Sequence, residues 1–110
     1  MTRNALIDAN HDVLEVEHGR LGMALLQVQP FDLVITEMLM PEVDGVEVIR
    51  SARIFHPNAK IIALSRTGRA SQYLYLAIAA KVGAHKVLAK PFAIAELLQA
   101  VDELLDGSVA

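Results

Sequence analysis

The sequence predicts an α/β domain built on an open parallel sheet. Two observations carry this prediction: short aliphatic or β-branched segments recur along the chain, and stretches with helical periodicity of apolar residues separate them. Strands joined by helices in this way form parallel sheets with right-handed crossovers. The 110 residues, 54% of them hydrophobic, suffice for one core, so we expect residues 1–110 to form a single domain.

Four segments are predicted strands. The middle two are almost entirely apolar, which is typical of strands buried on both faces of a parallel sheet. In chain order the predicted strands are Val13–Val16, Leu33–Thr36, Lys60–Leu64 and Lys86–Leu88.

Four helices are predicted. Apolar residues spaced three or four positions apart indicate three of them, and a segment rich in Ala and Leu indicates the helix that begins near Arg69. They cover approximately residues 21–28, 46–52, 69–82 and 94–105. Gly83 directly follows the third of these stretches. Glycine is the residue type that most readily ends a helix in the left-handed conformation, so Gly83 marks a helix end.

Composition excludes several classes of protein. The absence of cysteine removes disulfide scaffolds, Cys-based metal centres and thiol nucleophiles, and no two of the four histidines are four residues apart. The longest apolar run, Tyr73–Ala80, is too short to cross a bilayer. The net charge of −3 argues against nucleic-acid binding by the whole surface. We therefore expect a cytoplasmic protein that binds neither nucleic acid nor a membrane.

Polar side chains stand where three of the predicted strands end. Glu37 directly follows the second predicted strand, and Ser65 directly follows the third. Lys90 lies two residues after the end of the fourth. Ligands of parallel sheets bind at the carboxyl ends of the strands, so these three side chains are candidate functional residues. No nucleophile with a base and an orienting group accompanies them, and an enzyme is therefore not expected.

Three segments resemble motifs of the response-regulator receiver domain, the CheY-like family. Residues 32–45, with Met-Pro and Asp-Gly pairs, resemble the third strand of that family and the loop after it. Residues 63–65 add to the resemblance, and residues 83–92 resemble the fifth strand of the family with the lysine and proline that follow it. The resemblance extends over about residues 4–105 and implies the flavodoxin-like sheet with strand order 2-1-3-4-5.

The resemblance implies a signalling module of two-component systems. In that family an aspartate after the third strand accepts a phosphoryl group from a histidine kinase, and Mg²⁺ is bound by this aspartate and an acidic pair. By position, Glu37 corresponds to the phosphoacceptor, and Ser65 and Lys90 correspond to the residues that contact the phosphoryl group. The family's loop landmarks fall on Leu39, Pro41 and Pro91. The implied partners are a histidine kinase or a downstream effector.

The first departure from the family is the glutamate at position 37, four residues before Pro41. Its extra methylene moves the carboxylate outward, and positional errors of ~1 Å can reduce a rate roughly 10²-fold. Three interpretations stay open: Glu37 accepts a phosphoryl group, it imitates the phosphorylated state with its permanent charge, or it has no signalling role.

The second departure is the short segment before Val13. Twelve residues stand where the family has a strand, an acidic pair and a helix. We interpret residues 4–11 as the last turns of the first helix, so that the first strand and most of that helix are missing. The alternative is that residues 5–8 form the first strand and Asp8 is a remaining acid. No cofactor is expected. Mg²⁺ is expected to bind only if Glu37 and Asp8 together rebuild an acidic pocket.

A sheet without its first strand would expose apolar surface. Such a surface favours self-association, so we expect a homo-oligomer, with domain swapping as one route and residues 12–16 near the contact. The leading functional hypothesis is an atypical receiver that acts by protein–protein contact, with phosphorylation impaired or absent. A phosphorylation-competent receiver and a purely structural assembly domain are the alternatives.

Overall fold

The computed structural model describes residues 6–7, 19–37, 45–65, 77–78, 80–89 and 92–106. Residues 77–78 and 80–82 are helical, and they lead into the last strand. The helices and strands with full bounds are, in chain order, α1 (Gly19–Val28), β1 (Leu33–Glu37), α2 (Gly45–Phe55), β2 (Lys60–Ser65), β3 (Lys86–Ala89) and α3 (Ile94–Asp106).

The three described strands form one parallel sheet in the order β1-β2-β3. Leu33 pairs with Lys60 at the start of one ladder, and Ile62 pairs with Lys86 at the start of the other. Every described strand runs in the same direction, with helical segments between them. The predicted parallel α/β architecture is confirmed.

The central strand β2 is apolar along most of its length because both of its faces are covered. Successive side chains of a strand point to opposite faces. Ile61 and Ala63 therefore join one hydrophobic cluster, while Ile62 and Leu64 join a second one. Ile61, Ile62 and Ala63 are fully inaccessible to solvent.

Helices cover each face through residues at helical spacing. On the first face α1 contributes Leu26, and α2 contributes Val48, Ile49 and Ala52. On the second face α3 buries residues that recur three or four positions apart. They are Leu97, Ala100 and Val101. Burial of these stripes against the sheet is the main source of the fold's stability.

The N-terminal segment is described at two residues. Leu6 and Ile7 are helical, and Leu6 is buried in the cluster on the α3 side of the sheet. This conformation agrees with the interpretation of residues 4–11 as helix, and it contradicts the strand alternative at these two positions. The predicted strand Val13–Val16 and most of the predicted helix over residues 69–82 lie outside the described residues.

The start of β3 is held by a reciprocal pair of hydrogen bonds between Ile61 and His85. The backbone N–H of His85 donates to the carbonyl oxygen of Ile61 (2.8 Å), and the N–H of Ile61 donates to Nδ1 of His85 (3.0 Å). Two residues earlier, Gly83 has φ of 125°. The predicted helix end at Gly83 is thereby confirmed, since L-residues rarely adopt this conformation.

The ends of α1 and α2 are joined by His56. Its Nε2 donates to the carbonyl oxygen of Leu26 (2.6 Å), and its ring lies nearly perpendicular to that of Phe31 at a centroid distance of 6.0 Å. On the other side of the sheet Lys86 of β3 forms an ion pair with Glu103 of α3. In the part of the chain that the structure describes, no helix is long and apolar enough to span a membrane.

Candidate functional site

The carboxyl ends of the three strands lie at one edge of the sheet. Glu37 is the last residue of β1 and pairs with Leu64, the neighbour of Ser65. Ser65 is the last residue of β2 and pairs with Ala89, the last residue of β3. The parallel register thus brings the backbones of Glu37, Ser65 and Ala89 to the same edge.

The sequence explains why Glu37 is presented at this position. Val34, Ile35 and Thr36 favour a strand, and Thr36 is only 6% exposed. The hydroxyl of Thr36 donates to the carbonyl oxygen of Glu37 (3.1 Å). Glu37 itself is half-buried, so this residue stands where the buried ladder gives way to solvent.

The described donors do not fit a magnesium site. Mg²⁺ prefers near-octahedral oxygen coordination, and a single protein carboxylate rarely holds it. Glu37 is the one acidic residue that ends a described strand. Among the residues that the structure describes, no group of three His, Asp or Glu side chains is arranged to bind a metal ion.

Several predicted site residues lie outside the described ranges. They are Asp8, Leu39, Pro41, Lys90 and Pro91. The backbone of Ser65 is described as the end of β2. The chemical roles of all these positions, and that of Glu37, stay predictions.

Electrostatic perturbations occur away from the strand exits. Partial burial, followed by the positive charges of Lys60 and Arg53, lowers the pKa of His85. On the α3 side, a hydrogen bond from Lys86 and its positive charge lower the pKa of Glu103, with a further contribution from Gln99. Sequence reasoning assigned nothing to His85, because its partner Ile61 is 24 residues away and no local pattern connects the two.

Comparison with known proteins identifies the family. The profile of the response regulator receiver domain matches residues 1–102. The chain belongs to this family. The response regulator receiver protein CpdR of Brucella abortus is 36% identical over 101 residues, which cover 92% of this chain and 82% of that protein.

Solved structures of receiver domains share the same fold. A CheY-like receiver domain from Methanospirillum hungatei superposes with a TM-score of 0.85 at 22% identity, over 96% of this chain and 82% of the other. A receiver protein from Sinorhizobium medicae gives a TM-score of 0.80 at 28% identity, with the same coverage of 96% and 82%. The described sheet is thus that of the flavodoxin-like receiver fold, as predicted.

The receiver domain is a module of two-component signalling rather than a typical enzyme. Receiver domains work through contacts with histidine kinases and effector proteins. Other relatives of this chain are transcriptional regulatory proteins, and the chain spans only 38% to 45% of their length.

Proposed function

We propose that this protein is an atypical receiver that signals through protein–protein contact, with phosphorylation impaired or absent. The observation that carries the proposal is the position of Glu37. It ends β1 in register with Leu64, directly beside the end of β2 at Ser65. A glutamate at this edge keeps a negative charge where the resemblance to the family implies a phosphoaspartate.

The charge of the Glu37 carboxylate and the length of its side chain favour permanent imitation of the phosphorylated state over a role as phosphoacceptor. A glutamate carries about one negative charge, against roughly −1.5 to −2 for a phosphate. Its longer side chain moves the carboxylate toward the space that a phosphoryl group would occupy. A nucleophile displaced in this way reacts slowly, because in-line attack depends on the position of the reacting atoms.

Phosphorylation of the intact protein tests this proposal. The wild type, Glu37→Asp and Glu37→Gln are each incubated with acetyl phosphate and Mg²⁺, and the intact mass is measured. We expect no adduct on the wild type or on Glu37→Gln. A one-phosphate adduct that peptide mapping places on Glu37 would instead establish a phosphorylation-competent receiver and overturn the proposal.

A backbone NMR comparison tests whether the charge of Glu37 matters. Glu37→Gln keeps the size of the side chain and removes its charge. If Glu37 holds the strand exits in a signalling conformation, the amide resonances of Ser65 and Ala89 shift in Glu37→Gln, while those near Leu97 on α3 stay unchanged. Unchanged spectra at the strand exits, in both Glu37→Gln and Glu37→Asp, would favour a purely structural domain.

The assembly state and the partners belong to the same proposal. We propose a cytoplasmic homo-oligomer that contacts a histidine kinase or a downstream effector. Exchange of N-terminal segments between copies is one route to such an oligomer.

A further inference from the structure

Three hydrogen-bond donors from different elements converge at the amino edge of the sheet, opposite Glu37. Arg53 lies in the last turn of α2, Lys60 is the first residue of β2, and His85 precedes β3. Arg53 and His85 are exposed, and Lys60 is partly exposed. We call these three residues the amino-edge cluster.

The imidazole of His85 is fixed in one orientation and one tautomer. Its Nδ1 accepts the backbone N–H of Ile61 at 3.0 Å, so in the neutral ring the proton is on Nε2. The exposed ring therefore offers an N–H donor even when it is uncharged. Since Lys60 directly precedes Ile61 in β2, the same hydrogen bond places His85 beside the lysine.

The side chain of Arg53 is held next to the same segment. Its Cγ and Cδ lie 3.2 Å from the point where a Cβ on Gly83 would be, so glycine at this position permits the close approach. Nη1 of Arg53 donates to the carbonyl oxygen of Pro57 (3.4 Å). These contacts restrict the arginine side chain, while a guanidinium with five N–H donors can still bind a further acceptor.

The amino-edge cluster is positive and has no acidic partner among the described residues. Lys60 and Arg53 both lower the pKa of His85, after partial burial of the ring, so their fields overlap at the imidazole. Glu103, on the α3 side, is paired with Lys86 instead. Asp32 accepts the backbone N–H of Lys60 through its carbonyl oxygen (3.0 Å).

The charge of the amino-edge cluster indicates the kind of partner that would fit it. Arginine is enriched where proteins bind one another. A positive cluster is complementary to an acidic segment of a partner protein.

We propose that Arg53, Lys60 and His85 form a docking surface for an acidic segment of a partner protein. The three donors bind carboxylates of that segment. This surface lies at the edge of the sheet opposite Glu37. Binding at this surface is therefore independent of whether Glu37 is phosphorylated. The docking proposal and the proposed receiver function can be tested and rejected separately.

A designed acidic peptide tests the surface. A fluorescein-labelled ten-residue peptide of alternating Glu and Gly is titrated with the full chain, and binding is followed by fluorescence anisotropy. We expect binding by the wild type that weakens about fivefold in Arg53→Gln or Lys60→Gln. Lys86→Gln is the matched control, since it removes the same charge one residue from His85 on the α3 side, and it should bind like the wild type.

Further measurements separate specific docking from general attraction. Arg53→Lys keeps the charge and should retain most of the binding, and the amide resonances of Ile61 and His85 should shift in the complex. The proposal is overturned if the peptide does not bind, or if Lys86→Gln weakens binding as much as Lys60→Gln. It is equally overturned if inorganic phosphate or a single-stranded oligonucleotide displaces the peptide, since the surface would then bind phosphate groups.

Discussion

The Nδ1 atom of His85 accepts a backbone hydrogen bond from Ile61, a role that a carbonyl oxygen usually has in a sheet. Protonation of the ring would remove this acceptor and leave the N–H of Ile61 without its partner. Partial burial and the charges of Lys60 and Arg53 lower the pKa of His85 below its ordinary 6.5. The folded state therefore resists protonation of this ring.

This lowered pKa predicts how stability depends on pH. Below pH 6.5 the unfolded chain binds a proton at His85 more readily than the folded chain does, so the free energy of unfolding falls as the pH is lowered from 6.5 through the folded-state pKa. His85→Asn keeps an acceptor and does not titrate. Urea unfolding between pH 7.5 and roughly pH 5 should thus show a smaller loss of stability in His85→Asn than in the wild type. Equal pH dependence in both proteins would contradict the assignment.

At the scale of single residues, the sequence predicts features that depend on neighbouring residues. It does not predict contacts between residues that are far apart in the chain. The helix end at Gly83 is predictable because a glycine that can adopt a positive φ directly follows the helical stretch. The hydrogen bonds of His56 to Leu26 and of His85 to Ile61 connect residues 30 and 24 positions apart. No spacing rule covers such pairs, so they appear only once the elements have packed.

At the scale of elements, β2 should be the most sensitive part of the sheet. Ile62 is fully buried between α3 and the sheet, so Ile62→Ala loses buried apolar surface and leaves a cavity. A loss of about 2–5 kcal/mol in the free energy of unfolding is expected. Ile54→Ala is the matched control, because that side chain is 72% exposed and its truncation should change stability by less than about 0.5 kcal/mol. Chemical denaturation of both variants measures the difference, and similar losses would contradict the assigned burial.

Three of the predicted strands were correct in place and short by one residue at their carboxyl ends. The structure extends them to Glu37, Ser65 and Ala89. The apolar pattern stops where the strands reach the polar edge, while the backbone ladder continues, as the pair of Glu37 with Leu64 shows. Hydrophobic periodicity detects burial of side chains, and it cannot detect pairing that extends beyond the core. The candidate site lies in that last part of the strands.

At the scale of the whole molecule, self-association is the prediction with the widest consequence. If residues 12–16 lie at a contact between copies, the protein should elute as an oligomer whose mass, from multi-angle light scattering, is a multiple of 12.0 kDa. Val16→Asp places a charge in that segment and should shift the population toward the monomer. Val28→Asp adds the same charge at a side chain that is 73% exposed at the end of α1, and it serves as the control. A 12.0 kDa species at all concentrations would contradict the prediction.

The topology of the sheet also determines how the chain must fold. Leu33 pairs with Lys60 and Ile62 with Lys86, so each ladder forms only after a loop of roughly two dozen residues has closed. Non-local pairing of this kind is typical of domains that fold more slowly than helical bundles of equal length. Loop closure costs only about 0.6 kcal/mol more when a loop doubles in length. Evolution can consequently lengthen the crossovers of this domain far more freely than it can alter its central strand.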